Sequence, residues 1–284
     1  MIPVAFDYLR PTGVDEAVAA LAEAGDEAKI LAGGQSLLPV LRLRLSAPSV
    51  LVDLGGVAEL RGVREEGDFL AIGAMTTHDE VASSPLVRRF APLLATMAAT
   101  IGDRQVRHRG TLGGSLAHAD PAADLPAAAA TLQARYVLAG PSGRRVVTAA
   151  DFAVGLFTTA LADDEVLVEV QVPKVEGWGS HYEKFHRVVQ AWAIVGVAAM
   201  VRRSDGGIES ARVTLTNMGP TALRATAVEQ ALAGCAAEPA AIAEACMAAA
   251  EGTSPRDDVT ASAEYRRHLV RVLTGRAVAA AAGV

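Results

Sequence analysis

Two short glycine-pair segments constrain this chain more than any other feature: Ala32-Gly33-Gly34-Gln35-Ser36 and Thr111-Leu112-Gly113-Gly114-Ser115. Adjacent glycines let the backbone turn sharply and bring N–H groups up to a ligand with no Cβ in the way. A serine just beyond the pair can cap a following helix and offer a hydroxyl to an anion. Each segment follows sequence that can end a strand or turn, and each runs into apolar sequence that can open a helix. A lone Gly-Gly is an ordinary turn. Two in one compact chain make a pair of jaws for one diphosphate, and a branched side chain at Gly33 or Gly113 is expected to fill that ligand's space.

The sequence around the first segment reads as a β-α-β unit. Val14 to Ala24 has helical spacing and stops at Gly25, and Lys29-Ile30-Leu31 forms a strand that runs straight into the loop. Ser36 stands where an N-cap belongs, and Pro39 falls in the first turn, where a missing N–H does least harm. Val50 to Leu54 is a second buried strand, closed by Gly55-Gly56. Strand, glycine loop, helix and strand in that order let a helix start meet a phosphate. Neither a G-x-G-x-x-G fingerprint nor a Gly-Lys-Ser/Thr phosphate loop occurs in the chain.

Further along, Phe69 to Ile72 reads as a strand, Thr77 as a cap for a helix from His78, and Pro85 to Ala99 as one longer helix. Asp120 and Asp124 follow the second glycine segment, four apart, beside Pro121 and Pro126. They either cap the alanine-rich helix that runs to Leu132 or accept a ribose or ribityl hydroxyl. Strands are expected at 134–138, 145–148 and 165–172, then at 193–202 and 211–217. Helical stretches follow at 222–233, 238–250 and 261–281, the last with Arg266, Arg267, Arg271 and Arg276 on a solvated face. Composition shifts place subdomain borders near 55 and 176, giving segments 1–55, 56–176 and 177–284.

Several chemistries are excluded. A net charge of −6 argues against a nucleic-acid partner. Cys235 and Cys246 are too few for a zinc or iron–sulfur cage, and His108 and His118 do not have a metal-ligand spacing. No G-x-S-x-G elbow or nucleophile–base pair is evident. No apolar run reaches the length of a membrane span, and Met1 to Asp7 has no signal-peptide character. The expectation is a cytoplasmic protein, or one peripheral on the inner face of the cell membrane. Arg104, Arg107 and Arg109 read as a solvated face that can also steer an anion. Trp192, between Ala191 and Ala193, is either core or an indole that shields one face of a flat ring. A chain that holds a dinucleotide and lacks substrate machinery points to an electron-handling module.

The residues carry a family resemblance. Ala32 to Leu45, and the longer run from Ile101 through Thr111-Leu112-Gly113-Gly114-Ser115 to Pro121, resemble the FAD-binding loops of molybdenum hydroxylase flavoprotein subunits of the xanthine dehydrogenase type. Within that family the chain is most similar to the aerobic carbon monoxide dehydrogenase branch. The similarity extends over the whole chain, through Tyr182-Glu183-Lys184-Phe185, Ala191-Trp192-Ala193 and Leu215-Thr216-Asn217-Met218-Gly219-Pro220.

The resemblance implies an α+β fold. A two-part FAD-binding domain, a small α/β subdomain plus a larger one with an antiparallel sheet, precedes a C-terminal three-stranded antiparallel sheet with a helix bundle. It also implies that residues 32–36 and 111–115 hold the FAD pyrophosphate. The acidic residue after the second loop maps to Asp120 or Asp124, and an aromatic at the flavin ring maps to Trp192. Many relatives carry an aspartate just before that aromatic, to tune the flavin or to pair with a nearby lysine such as Lys184, where this chain has Ala191. Family partners are a large subunit with molybdenum–pterin and a small subunit with two [2Fe–2S] clusters, assembled as a dimer of heterotrimers, with quinone or NAD as acceptor. Two readings compete with this one. A self-contained FAD-dependent oxidase needs a base over the ring, and a plain nucleotide-binding module has no use for an aromatic at Trp192.

Overall fold

The computed structural model describes residues 2–284. The first unit comprises β1 (Asp7–Leu9), α1 (Val14–Ala24), β2 (Ala28–Leu31), α2 (Leu37–Arg42) and β3 (Val50–Asp53). Its three strands are parallel, in the order β1-β3-β2. Parallel neighbours need crossovers, and α1 supplies one while the first glycine loop and α2 supply the other. Val14, Ala17, Val18 and Leu21 recur at helical spacing and bury one face of α1. The crossover leaves the glycine loop at the carboxyl end of β2, where open α/β units hold their ligands.

The second unit begins with β4 (Val63–Glu66), β5 (Phe69–Gly73), α3 (His78–Ser83), α4 (Pro85–Phe90), α5 (Pro92–Ala99), α6 (Arg104–Arg107), α7 (Leu112–His118) and α8 (Asp124–Thr131). It continues with β6 (Arg135–Gly140), β7 (Gly143–Thr148), α9 (Ala149–Phe152), β8 (Ala153–Gly155), β9 (Thr158–Thr159) and β10 (Val166–Pro173). Five of these strands form an antiparallel sheet, ordered β4-β5-β10-β6-β7. Val137, Ala139, Val166 and Val168 face α1 and β3, so the small unit sits on one face of this sheet. Leu70, Ile72, Leu138, Val170 and Val172 face the helices α3 to α5, α7 and α8 on the other. Val168 and Val170 would share a face in a regular strand. A register shift between Leu167 and Glu169 sends them to opposite cores. The single helix expected from Pro85 to Ala99 is two helices. Ala91 leaves helical geometry (φ −142°) and Pro92 restarts the chain as the first residue of α5, because a proline suits a first turn and breaks an interior one.

The third unit comprises β11 (Gly179–Phe185), β12 (Val195–Ser204), β13 (Gly207–Thr216), β14 (Leu223–Arg224), α10 (Thr226–Leu232), α11 (Pro239–Ala245) and α12 (Ala263–Ala282). Three long antiparallel strands, β11-β12-β13, carry the two-residue β14 at one edge. Along β12, Val195, Val197, Ala199 and Val201 face the bundle of α10 to α12. Ala198 and Met200 face the other way and join Tyr182 in the core of the middle helices. The helical layer of the second unit therefore lies between two sheets. Thr131 on α8 and Thr214 on β13 bond across that boundary at 2.8 Å.

Candidate functional site

The two glycine loops touch. A Cβ on Gly33 would lie 2.2 Å from the Arg109 carbonyl oxygen and 2.7 Å from Gly110 Cα, so the first loop rests on the backbone that leads into the second. A Cβ on Gly114 would come within 3.3 Å of Ala32 Cβ. Gly34, at φ +74°, makes the sharp turn within the first loop. The glycines at 33 and 113 thus serve close packing. Their missing side chains would point into protein, Gly113 toward Ala74 at 2.5 Å, and not into a ligand's space as the sequence suggested.

The second loop is seated on residues 74–78. Gly113 N–H donates to the Ala74 carbonyl (2.8 Å), Leu112 N–H to Thr76 (3.0 Å), and His78 N–H to Gly110 (2.9 Å). Thr111 is the cap of α7, its hydroxyl accepting from Gly114 N–H at 3.1 Å. Ser115 lies inside α7 and caps nothing. Ser36 does hold the N-cap position of α2 but in an αR conformation, with no cap bond from its side chain. An N-cap hydroxyl typically reaches back from extended backbone, so Ser36 in the αR region makes no cap.

The backbone N–H groups of the two loops are satisfied differently. In the second, Gly113, Gly114 and Ser115 N–H groups are all bonded within the protein. In the first, the N–H groups of Gly33, Gly34, Gln35 and Ser36 have no acceptor among the described residues, nor has Thr111 N–H. Four successive amides without partners, around a left-handed glycine, form a concave donor array suited to an anion. Donors left like this need water or a ligand.

Asp124 does not present a carboxylate to a ligand. It is buried, with Lys184 Nζ donating to Oδ2 at 2.7 Å and the Tyr182 hydroxyl donating to Oδ1. Lys184 and Asp124 side chains are each 6% exposed, and Lys184 also reaches the Thr100 carbonyl at 3.3 Å. Burial pushes the Asp124 carboxyl up, against the opposing pull of Lys184 and the Tyr182 hydroxyl. Burial, then the Asp124 charge, drive the Tyr182 phenol well above its usual range. Lys184 thus has a carboxylate partner despite Ala191: it comes from α8. Tyr182 was missed by reasoning on motifs, yet its spacing from Lys184 puts both on one face of β11. Asp120 is half-buried, with Oδ1 accepting from Ala122 N–H at 2.9 Å. Its position beside Pro121 makes it the more available carboxylate.

Trp192 is 64% exposed, which removes the plain core reading. Phe185 at the end of β11 and Val188 and Val189 on the β11–β12 connection are exposed as well. Of the basic run ahead of the second loop, Arg107 turns inward and donates to the Ile101 carbonyl at 2.9 Å, while Arg104 and Arg109 are exposed. Arg266, expected on a solvated face, is 1% exposed. It lies where α12 crosses β12, and a buried guanidinium is kept there by its acceptors, the Ile194 carbonyl and Asp258.

His78 lies under the second loop, 5% exposed, with its ring 2.8 Å from where a Gly110 Cβ would stand. Burial, helped by the Arg107 charge, lowers its pKa to about 4. The unfolded chain takes a proton near 6.5 and the folded chain does not. Stability from this group is complete above 6.5 and falls as pH drops toward 4. Going from pH 7 to pH 5 is expected to cost about 2 kcal/mol, read as a lower denaturation midpoint. His78→Gln should lose much of that pH dependence.

Taken together, the unpartnered amides of Gly33 to Ser36 and the abutting second loop form a concave donor array that can take an anion. Comparison with known proteins specifies the class. The FAD binding domain of molybdopterin dehydrogenases matches residues 4–175, and the CO dehydrogenase flavoprotein C-terminal domain matches residues 180–281. The carbon monoxide dehydrogenase medium chain of Hydrogenophaga pseudoflava is 43% identical over 99% of this chain and 98% of its own. The 6-hydroxypseudooxynicotine dehydrogenase complex subunit alpha of Paenarthrobacter nicotinovorans is 38% identical, covering 99% and 96%. A solved carbon monoxide dehydrogenase from H. pseudoflava, which lacks the Mo-pyranopterin moiety, superposes with a TM-score of 0.96 at 45% identity, covering 99% of this chain and 98% of that one. The chain belongs to the FAD-binding flavoprotein subunits of the molybdenum hydroxylase dehydrogenases. No helix among the described residues is long and apolar enough to cross a membrane.

Proposed function

We propose that this chain is the electron-transfer subunit of a carbon monoxide dehydrogenase-type complex, taking electrons from [2Fe–2S] clusters of a small partner and passing them to quinone or another acceptor. The large partner would carry molybdenum–pterin and the substrate site, in a dimer of heterotrimers in the cytoplasm or peripheral on the inner face of the cell membrane. The observation that carries the reading is the donor array of the first loop, set against the second loop in a chain of this family. Carbon monoxide is favoured as the partner's substrate by the degree of similarity, although the relatives include a subunit of a 6-hydroxypseudooxynicotine dehydrogenase complex.

FAD, when bound, supplies a carrier that exchanges one or two electrons. This chain's part is to hold and orient it. The N–H groups of Gly33, Gly34, Gln35, Ser36 and Thr111 would take the diphosphate, with the hydroxyls of Ser36 and Ser115 beside them. Ala32, Leu112, Gly113 and Gly114 set the spacing of the two loops. Asp120 would accept a ribityl hydroxyl. Asp124 would act one step back, by fixing Lys184 toward the ring, and Trp192 would cover one face. The three segments 1–55, 56–176 and 177–284 are proposed as the units that meet around the cofactor.

A visible spectrum of the tagged protein, purified gently from its own host, tests the assignment. Flavin bands with a broad iron–sulfur shoulder are the expected result. Flavin bands with no shoulder and no co-purifying subunits contradict the relay reading and favour a self-contained oxidase. A colourless preparation contradicts both.

A further inference from the structure

We infer that Asn217 is a positioning residue that ties the Asp120 segment to the Trp192 segment, with Arg266 locking the second of these. The inference rests on the reading above that these segments flank the flavin. Asn217 follows directly on β13 in the left-handed region, at φ +62°. Its backbone N–H donates to the Pro121 carbonyl at 2.8 Å. Its side-chain Nδ2 donates to the Ala193 carbonyl at 2.8 Å and reaches the Ile194 carbonyl at 3.4 Å. One residue therefore bonds both to the loop after the second glycine segment and to the residue next to Trp192.

The second lock comes from the far layer. Arg266 Nη1 also donates to the Ile194 carbonyl. Its Nη2 is held by Asp258 Oδ2 at 2.6 Å and Thr260 Oγ1 at 3.0 Å. The connection that these groups anchor is otherwise sparsely held. Arg187, Val188, Val189 and Gln190 are exposed, and its internal backbone bond runs from Ala191 N–H to Val188 at 2.9 Å. An exposed indole on such a connection takes one orientation only if the chain beside it is fixed. Asparagine meets both demands at this place, because it tolerates the left-handed backbone and carries a side-chain donor.

Asn217→Gly separates these roles, since glycine keeps the left-handed conformation and removes the donor. Asn217→Asp keeps the shape and conformation but replaces the donor with an acceptor. The full chain is used in a Trp178→Phe background, which leaves Trp192 as the sole tryptophan of two. In the FAD-free chain, both variants are expected to lose the slowly decaying component of Trp192 fluorescence anisotropy and to gain acrylamide quenching, with far-UV circular dichroism unchanged. At saturating FAD, both should weaken flavin quenching of Trp192 and the visible circular dichroism of the flavin. Parental anisotropy and parental flavin dichroism in both variants, with only a lower melting midpoint, would overturn the inference and leave Asn217 a structural residue. The two readings fail separately. A parent that binds FAD without quenching Trp192 contradicts the placement of the indole, while the anisotropy comparison judges the anchor by itself.

Discussion

Gly33→Ala is expected to reduce FAD affinity roughly 10- to 100-fold, the equivalent of the ~1–3 kcal/mol typical of an overpacked contact. The added methyl would stand 2.2 Å from the Arg109 carbonyl oxygen and 2.7 Å from Gly110 Cα. These are backbone atoms, which cannot rotate away as a side chain can. The loops must separate, and the donor array of the first moves off the second. Equilibrium titration of the full chain with FAD measures the loss, and far-UV circular dichroism checks that the fold remains. Gln35→Ala is the control: its side chain is exposed and makes one long contact, 3.4 Å to the Gly33 carbonyl, so binding should change little. Unchanged affinity in Gly33→Ala would mean that the packing of one loop on the other does not matter to the ligand.

Lys184→Met should destabilise the chain by about 3–5 kcal/mol, the usual cost of stranding one member of a buried ion pair. Asp124 would then keep only the Tyr182 hydroxyl, and burial would drive its carboxyl to bind a proton. The double variant Asp124→Asn, Lys184→Met should recover a large part of the loss, because neither partner is then left charged and alone. Chemical denaturation of the parent, both single variants and the double variant gives the coupling directly. Additive losses would show that the 2.7 Å pair carries no coupling of its own. The recovered double variant should still bind FAD less tightly than the parent, since Lys184 is the group proposed to face the ring.

Much of this architecture is legible in the chain. The spacing of Val14, Ala17, Val18 and Leu21 marks α1, the strand Lys29–Leu31 runs into the first loop, and Thr77 caps α3 with Glu80 in a reciprocal capping box. These are local signals, set by periodicity and by side chains bonding their own backbone. What the chain hides is direction. Nothing in Gly33 or Gly113 says that their absent Cβ atoms point at Arg109 and Ala74, because that depends on a contact between segments far apart in sequence. Asp124 has the same problem: its place after the second glycine segment suggests a helix cap or an acceptor for a ligand hydroxyl, yet the first turn of α8 points it at Lys184 on a strand of the third unit. Arg266 misleads for a related reason, since it falls in the buried stripe of α12 with Leu269, Val270, Leu273 and Thr274, and an arginine in that position must find acceptors across the sheet. Asn217, by contrast, carried a readable hint, as an asparagine where a strand meets Met218-Gly219-Pro220 is a candidate for the left-handed region.

Titration of the full chain with FAD and with riboflavin shows whether the two loops grip a diphosphate. Riboflavin has the ring and ribityl chain but no phosphate. If the N–H array from Gly33 to Ser36 supplies the grip, FAD should saturate one site while riboflavin binds far more weakly. Inorganic pyrophosphate should then compete with FAD. Equal affinity for the two flavins, with no competition, would contradict that grip and leave the loops as a packing joint beside a site that reads only the ring.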